Sequence, residues 1–227
     1  MNIIVITLIF ISSGIAYEQF SRVSTLQKYK PKGSLVDIGL RMLHLDCRGS
    51  GPPIVILESG LDTLGSSSWC VVQDRLAKLT RTCAHDRAGI MWSHPRPYKS
   101  NLMEAIANDL NKAIVLTDEK PSYILVSHSF GGPYITKFTE LYGDKVAGIV
   151  FVDSPHPEQM DLVREIEMPL ISSITNKASQ VLSHFMNIMG LTRLINMQDK
   201  RRFQNQPDYN SDMIKAFAPL SGDTLSH

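Results

Sequence analysis

The segment Ser127-His128-Ser129-Phe130-Gly131-Gly132 has the residue types and spacing to do chemistry. It follows the apolar run Tyr123 to Val126 and precedes a helical pattern beginning near Gly132, so Ser129 falls on a sharp turn between a strand and a helix. Such a turn projects the hydroxyl above the sheet. The helix N-terminus beside it offers backbone N–H groups and the positive end of a dipole, which favour a developing oxyanion. The chemistry this arrangement serves is nucleophilic attack by a serine on an acyl carbon. An isolated serine here could equally be a helix N-cap, so the elements around it decide the reading.

Those elements follow from the hydrophobic pattern. Leu35 to Ile38 and Leu40 to Cys47 alternate apolar and polar residues around Gly39, which predicts an antiparallel hairpin. Ile54 to Leu57, Cys83 to His85, Tyr123 to Val126 and Val146 to Val152 are short continuous apolar runs, expected as strands buried on both faces. Ser68 to Lys78, Leu102 to Leu116 and Gly132 to Tyr142 repeat apolar residues at helical spacing. Strand and helix alternating through short loops predicts an α/β fold, a mostly parallel sheet flanked by helices. Past Asp153, Pro155, Pro157 and Pro169 punctuate a stretch of short helices to Ala216, and the apolar Val181 to Met189 must pack on something. A helical lid after the sixth strand is the expectation.

The chain here resembles the α/β-hydrolase superfamily, over about Ser34 to Pro157. Four motifs in order carry the resemblance: Leu57-Glu58-Ser59-Gly60-Leu61 after the third strand, Asp86-Arg87-Ala88-Gly89-Ile90-Met91-Trp92-Ser93 after the fourth, the serine turn, and Val152-Asp153-Ser154 ending the sixth. The turn matches the G-x-S-x-G elbow, with Ser127 where glycine is usual. The second loop is similar to D-x-x-G-x-G-x-S, with Met91 in place of the second glycine, where a side chain resists the backbone angle glycine permits. The resemblance implies Ser129 as nucleophile and the backbone N–H groups of Leu61 and Phe130 as an oxyanion hole. It also implies an acid and then a histidine further along the chain. Asp153 is the internal acid and His156 the internal base; each has a plainer reading as a loop residue. His128, as a neighbour in the elbow, is expected to point away from Ser129. Glu58 is read as a structural acid bonded to loop backbone, or as a neutral donor beside the oxyanion hole, and Asp86 with Arg87 as a turn-holding pair.

Two further strands with their helices and connections need roughly 55 residues beyond the lid, and the tail from Phe217 to His227 holds eleven. The last two strands, with the usual acid and base, are therefore expected to be missing. The organisation read from this is 1–16 as a signal peptide or N-terminal anchor, 34–157 as the hydrolase core, 158–216 as the lid region and 217–227 as a tail. Two functions compete: hydrolysis of esters or related acyl bonds through an acyl-enzyme on Ser129, or a non-catalytic binding role for a truncated pseudoenzyme. A Ser nucleophile argues against epoxide and dehalogenation chemistry, which in this superfamily use Asp.

Composition sets the remaining bounds. The chain has 227 residues with 23 Lys plus Arg against 22 Asp plus Glu, a net charge of +1 without a long run of one sign, so no nucleic-acid partner is expected. No metal spacing or G-x-G-x-x-G unit occurs, and no cofactor is expected. The partner expected is a small-molecule ester or acyl substrate, with self-association through an unfinished sheet edge as a second possibility. Ile3 to Ala16 is uncharged and spans only about 21 Å as a helix, with small residues at Gly14 and Ala16 suited to signal peptidase. The expected location is extracytoplasmic or secreted, or membrane-associated. Tyr17 to Gly33 reads as a polar connecting segment. Among three cysteines, Cys47 and Cys83 are the pair placed to bridge if the chain is exported, with buried thiols the alternative.

Overall fold

The structure, a computed structural model, describes residues 3–61, 64–96, 102–155, 178–179, 181–183 and 185–198. The chain divides into two compact units, Pro31–Ile166, and Met1–Lys30 together with Glu167–His227.

In the first unit, β1 (Ser34–Asp37) and β2 (Met42–Arg48) form the expected hairpin, with Gly39 in its turn. They are followed by β3 (Ile54–Glu58), a 3-10 turn and α2 (Cys70–Leu76), β4 (Thr82–His85), α3 (Leu102–Leu116), β5 (Tyr123–His128), α4 (Gly131–Tyr142) and β6 (Val146–Val152). The six strands make one sheet in the order β1-β2-β4-β3-β5-β6. β2 runs antiparallel to both of its neighbours, while β4, β3, β5 and β6 are mutually parallel. This is the expected α/β architecture. The strand ends carrying Glu58, His85 and His128 lie at one edge of the sheet, because parallel strands end together.

Period-two alternation builds the core on both faces. Ile54 and Ile56 join Leu43, Leu45, Leu125 and the inner sides of α3 and α4 on one face, led by Leu110, Ile114, Ile135 and Phe138. Val55 and Leu57 face the other way, against Trp69, Ala84 and Leu76. β3 is therefore buried along its whole length, as its unbroken apolar run requires. β6 departs from that expectation. It pairs with β5 on one side and, among the described residues, borders no further strand, so Ile149, Val150, Phe151 and Val152 remain exposed.

The unit is tied at its margins. Cys47 and Cys83 sit directly opposite each other in the β2–β4 register and form a disulfide. Asp109 of α3 receives Arg41 from the hairpin turn and Arg96 from the segment after β4.

The second unit corrects one expectation. Tyr17 onward does not leave the helix: α1 runs without a break from Ile3 to Lys28. Nothing between Tyr17 and Lys28 is a glycine or proline, and the stop comes where Pro31 biases its preceding residue away from helical angles. Residues 185–188 are helical and lead into α5 (Leu191–Gln198), and part of this segment packs on α1. Most of the expected lid lies outside the described residues, as does all of the tail.

The disulfide yields a stability test. It joins residues 36 positions apart, for which loss of chain entropy in the unfolded state gives about 3 to 4 kcal/mol. Reduction, or the double change Cys47→Ala with Cys83→Ala, is expected to lower the unfolding free energy extrapolated from urea titration by that amount without altering the far-ultraviolet circular dichroism of the folded state.

Candidate active site

Ser129 sits between the last residue of β5 and the first turn of α4, half-buried, with φ at +49°. A non-glycine residue in this left-handed region costs about 1–2 kcal/mol. It is held there by its neighbours: its N–H donates to the Val152 carbonyl at the end of β6, and its own carbonyl accepts from Gly132 N–H, both at 3.0 Å.

The small residues around it explain themselves by distance. A Cβ on Gly131 would stand 2.8 Å from the Ser59 carbonyl oxygen and 2.9 Å from that of Glu58, and one on Gly132 would stand 2.8 Å from Ser154 Cβ. Only glycine lets the start of α4 lie this close to the ends of β3 and β6. Ser127 fits where glycine is usual because its hydroxyl, fully buried, finds the Ser154 hydroxyl at 3.2 Å.

The loop after β3 reaches the same place. A Cβ on Gly60 would lie 3.1 Å from Ser129 Cβ and 3.5 Å from His128 Nδ1. Leu61 is the next residue and Phe130 the next after Ser129, so the two segments expected to donate oxyanion N–H groups meet at the serine. His128 is exposed, with its ring beside Gly60. Asp153 directly follows the carbonyl that receives Ser129 N–H, has φ +50° and keeps an exposed side chain. His156 lies outside the described residues.

A buried charge cluster fixes this loop, and sequence reasoning missed it. Glu58 is neither bonded to loop backbone nor neutral. Its carboxylate accepts from His85 Nε2 at 2.6 Å and from the Arg87 guanidinium. Burial pushes the Glu58 acid up, but the charges and hydrogen bonds of His85 and Arg87 outweigh it and hold the group below the usual carboxylate range. Arg87 also donates to the Ser59 carbonyl at 2.7 Å and to the Gly60 carbonyl, and its guanidinium lies 4.9 Å from the centre of the Tyr134 ring. The signal available in the sequence was an acid ending a strand buried on both faces, which needs a buried partner.

Asp86 and Arg87 do not hold each other. Asp86, fully buried, accepts from Ser66 N–H at 2.7 Å and from His44 Nδ1 at 2.7 Å. His44 Nε2 faces the Lys32 carbonyl at 2.5 Å. Both ring nitrogens thus face acceptors, an arrangement that favours the imidazolium form. Burial pulls the His44 pKa down, but the Asp86 charge and hydrogen bond lead the opposing effects, and the net shift is upward from 6.5. Ser93, ending the loop, donates from its hydroxyl to the Asp86 carbonyl at 2.6 Å and accepts from His44 N–H at 2.9 Å. Met91 adopts φ +48° in this loop, the glycine-like angle of the position, with its side chain buried.

One group of potential metal ligands occurs among the described residues, Cys47, Cys83 and Glu119, away from Ser129 in the strand register. The two sulfurs are joined to each other and Glu119 pairs with Arg81.

Comparison with known proteins agrees with this geometry. The family model described as alpha/beta hydrolase fold matches residues 52–173. The chain belongs to the α/β-hydrolase fold family. Among solved structures, an epoxide hydrolase from Bacillus megaterium superposes with a TM-score of 0.62 at 20% identity, over 85% of this chain and 69% of that one. A thermophilic esterase from Thermogutta terrifontis superposes with a TM-score of 0.54 at 20% identity, over 80% and 64%. At such identities the likeness concerns the fold. Of the curated proteins, YbdG of Bacillus subtilis is 23% identical over 144 residues, 63% of this chain and 44% of its own length. The probable transporter efuK of Hormonema carpetanum is 28% identical over 130 residues, 54% of this chain and 18% of its length. The chain thus spans less than half of either curated relative.

Two predictions follow from the site. The Glu58 contribution to stability is present above about pH 4.5 and is lost as pH falls through its lowered folded-state pKa. The His44 contribution has the opposite sense: present below about pH 6.5, lost as pH rises through its raised pKa. Urea midpoints are expected to peak between these values, and His44→Gln should flatten the alkaline limb alone. For Met91→Gly, relief of backbone strain recovers about 1–2 kcal/mol, while loss of a buried methionine side chain costs about 1.5–3 kcal/mol. Burial wins, and a net destabilisation of about 1 kcal/mol is expected in the same urea assay.

Proposed function

We propose that this chain contributes a serine hydrolase site for esters or related acyl bonds, working through an acyl-enzyme on Ser129. The observation that carries the reading is the strained Ser129 turn, aimed at one sheet edge with the Gly60 loop against it. The named activities of the neighbouring structures include both ester and epoxide hydrolysis, and a serine rather than an aspartate at the turn supports the former. Ser129 Oγ attacks the carbonyl carbon and its proton passes to a base. The carbonyl oxygen, now negative, is received by the N–H groups of Leu61 and Phe130. Collapse expels the alcohol with a proton from the conjugate acid of the base; water then adds by the same route and frees the acid product. His156 is the base and Asp153 the acid nearest in sequence to this edge. The substrate is a small molecule with an apolar acyl or alcohol group.

We infer that the core lies outside the cytoplasm or at a membrane surface. The apolar N-terminal helix and the Cys47–Cys83 disulfide both support that placement, since disulfides persist in oxidising compartments.

Covalent labelling with a fluorophosphonate, read by intact mass, tests the reaction. One adduct on the wild-type chain and none on Ser129→Ala is the expected outcome. A folded wild-type sample that takes no label would instead support a binding role, with the exposed β6 edge as the surface available for it.

A further inference from the structure

Residues Ile3 to Tyr17 carry no charged side chain, and the consecutive residues Ile3, Ile4, Val5 and Ile6 are all exposed, as are Leu8, Ile9 and Phe10. Successive helical residues are ~100° apart, so these side chains cover the whole circumference. A helix lying in an interface needs a polar face; this one has none, which fits it to hydrocarbon rather than to a bilayer surface.

The first charged residue is Glu18, and it is fully buried. Its carboxylate accepts two hydrogen bonds from Arg193 of α5, each 3.0 Å, and one from Arg22 at 3.1 Å. Arg193, itself buried, also donates to Thr25 at 3.1 Å. With Glu18 neutralised inside the protein, the stretch free of exposed charge extends from Ile3 to Ser21. Those nineteen residues span about 28 Å, close to the ~30 Å hydrocarbon core. Tyr17 and Phe20 fall near its end, where aromatic side chains favour the interface, and Arg22, Lys28, Lys30 and Lys32 follow.

Gly14 and Gly190 sit where α1 meets the segment leading into α5. A Cβ there would come 2.6 Å from Met189 Cε, and a Cβ on Gly190 would come 2.8 Å from the Tyr17 ring. These are the close approaches of a helix–helix contact, which small residues permit. Val181, Leu182, Phe185, Leu194 and Ile195, in the segment that packs on α1, add exposed apolar surface to the same unit.

We propose that α1 is not a cleaved leader but a retained membrane anchor, seated in the hydrocarbon of a phospholipid bilayer and locked to α5 by the buried Glu18–Arg193 pair. The proposal rests on the membrane placement above and deepens it; it is independent of which side of the membrane holds the core and of the reaction at Ser129.

The test uses the full chain expressed in membrane-competent cells, with its N-terminus mapped by mass after carbonate extraction, then purified and floated with phosphatidylcholine–phosphatidylglycerol vesicles. The expected result is an intact N-terminal helix in the carbonate-resistant pellet and in the floating fraction. A soluble chain beginning at Tyr17 overturns the proposal, and so does an intact chain that stays with the bottom fraction as a dimer. The charge pair is tested by Arg193→Gln, which leaves the buried Glu18 with Arg22 as its single remaining cation and is expected to lower the floated fraction at least threefold, and by adding Glu18→Gln, which is expected to restore it. A helix that inserted alone would be indifferent to a residue 175 positions away, so equal flotation of all variants overturns the locking contact. The oxidation state of Cys47 and Cys83, read by alkylation, tests placement separately. Free thiols in a membrane-bound, intact chain would reverse the side of the membrane and leave the anchor standing.

Discussion

The ionised Glu58 carboxylate is the constraint on which the site depends. A charge taken wholly out of water is tolerable only when its partners are equally fixed. His85 from the neighbouring strand and Arg87 just beyond it supply them. Arg87 then spends its remaining donors on the Ser59 and Gly60 carbonyls. One ion cluster thus joins the ends of two adjacent strands and sets the height of the loop that faces Ser129. Gly131 lies against the carbonyls of Glu58 and Ser59, so moving Glu58 would move the start of α4 as well.

A second buried pair, His44 with Asp86, does the same for the loop from Asp86 to Ser93. Its residues come from β2 and from the end of β4, so the antiparallel hairpin is coupled to the active edge through charge rather than through apolar packing alone. The two pairs titrate in opposite senses. Both are charged together in mildly acidic solution. Left-handed angles at Ser129, Met91 and Asp153 cluster at this same edge. Strain of that kind persists where surrounding contacts over-determine the backbone, and here those contacts are the two ion pairs and the short glycine approaches.

Much of this was legible in the residues. The strand and helix runs were visible because parallel strands buried on both faces leave unbroken apolar segments, and helices covering them leave a 3.6-residue repeat. Val146 to Val152 and Leu102 to Leu116 are bounded in the sequence as they are in the fold. The elbow was visible because its steric demand is local: small residues must flank a serine between a strand and a helix. Opposed placement of Cys47 and Cys83 was readable as a possibility, since each lies in a strand pattern; that they face one another depends on register, which the pattern leaves open.

What the sequence by itself determined, then, is the order of elements, the buried strands and the position of the serine turn, all consequences of short-range periodicity and sterics. What only the tertiary structure decided is which charges meet. Glu58 with Arg87, Asp86 with His44 and Glu18 with Arg193 are separated by 29, 42 and 175 positions, and no local pattern records such a pairing. The outward face of β6 belongs to the same class, because a strand at the edge of a sheet and one at its centre are written in the same apolar residues. The continuation of α1 past Tyr17 is likewise tertiary: polar residues there enter a helix because Glu18 and Thr25 find a partner in Arg193, far along the chain.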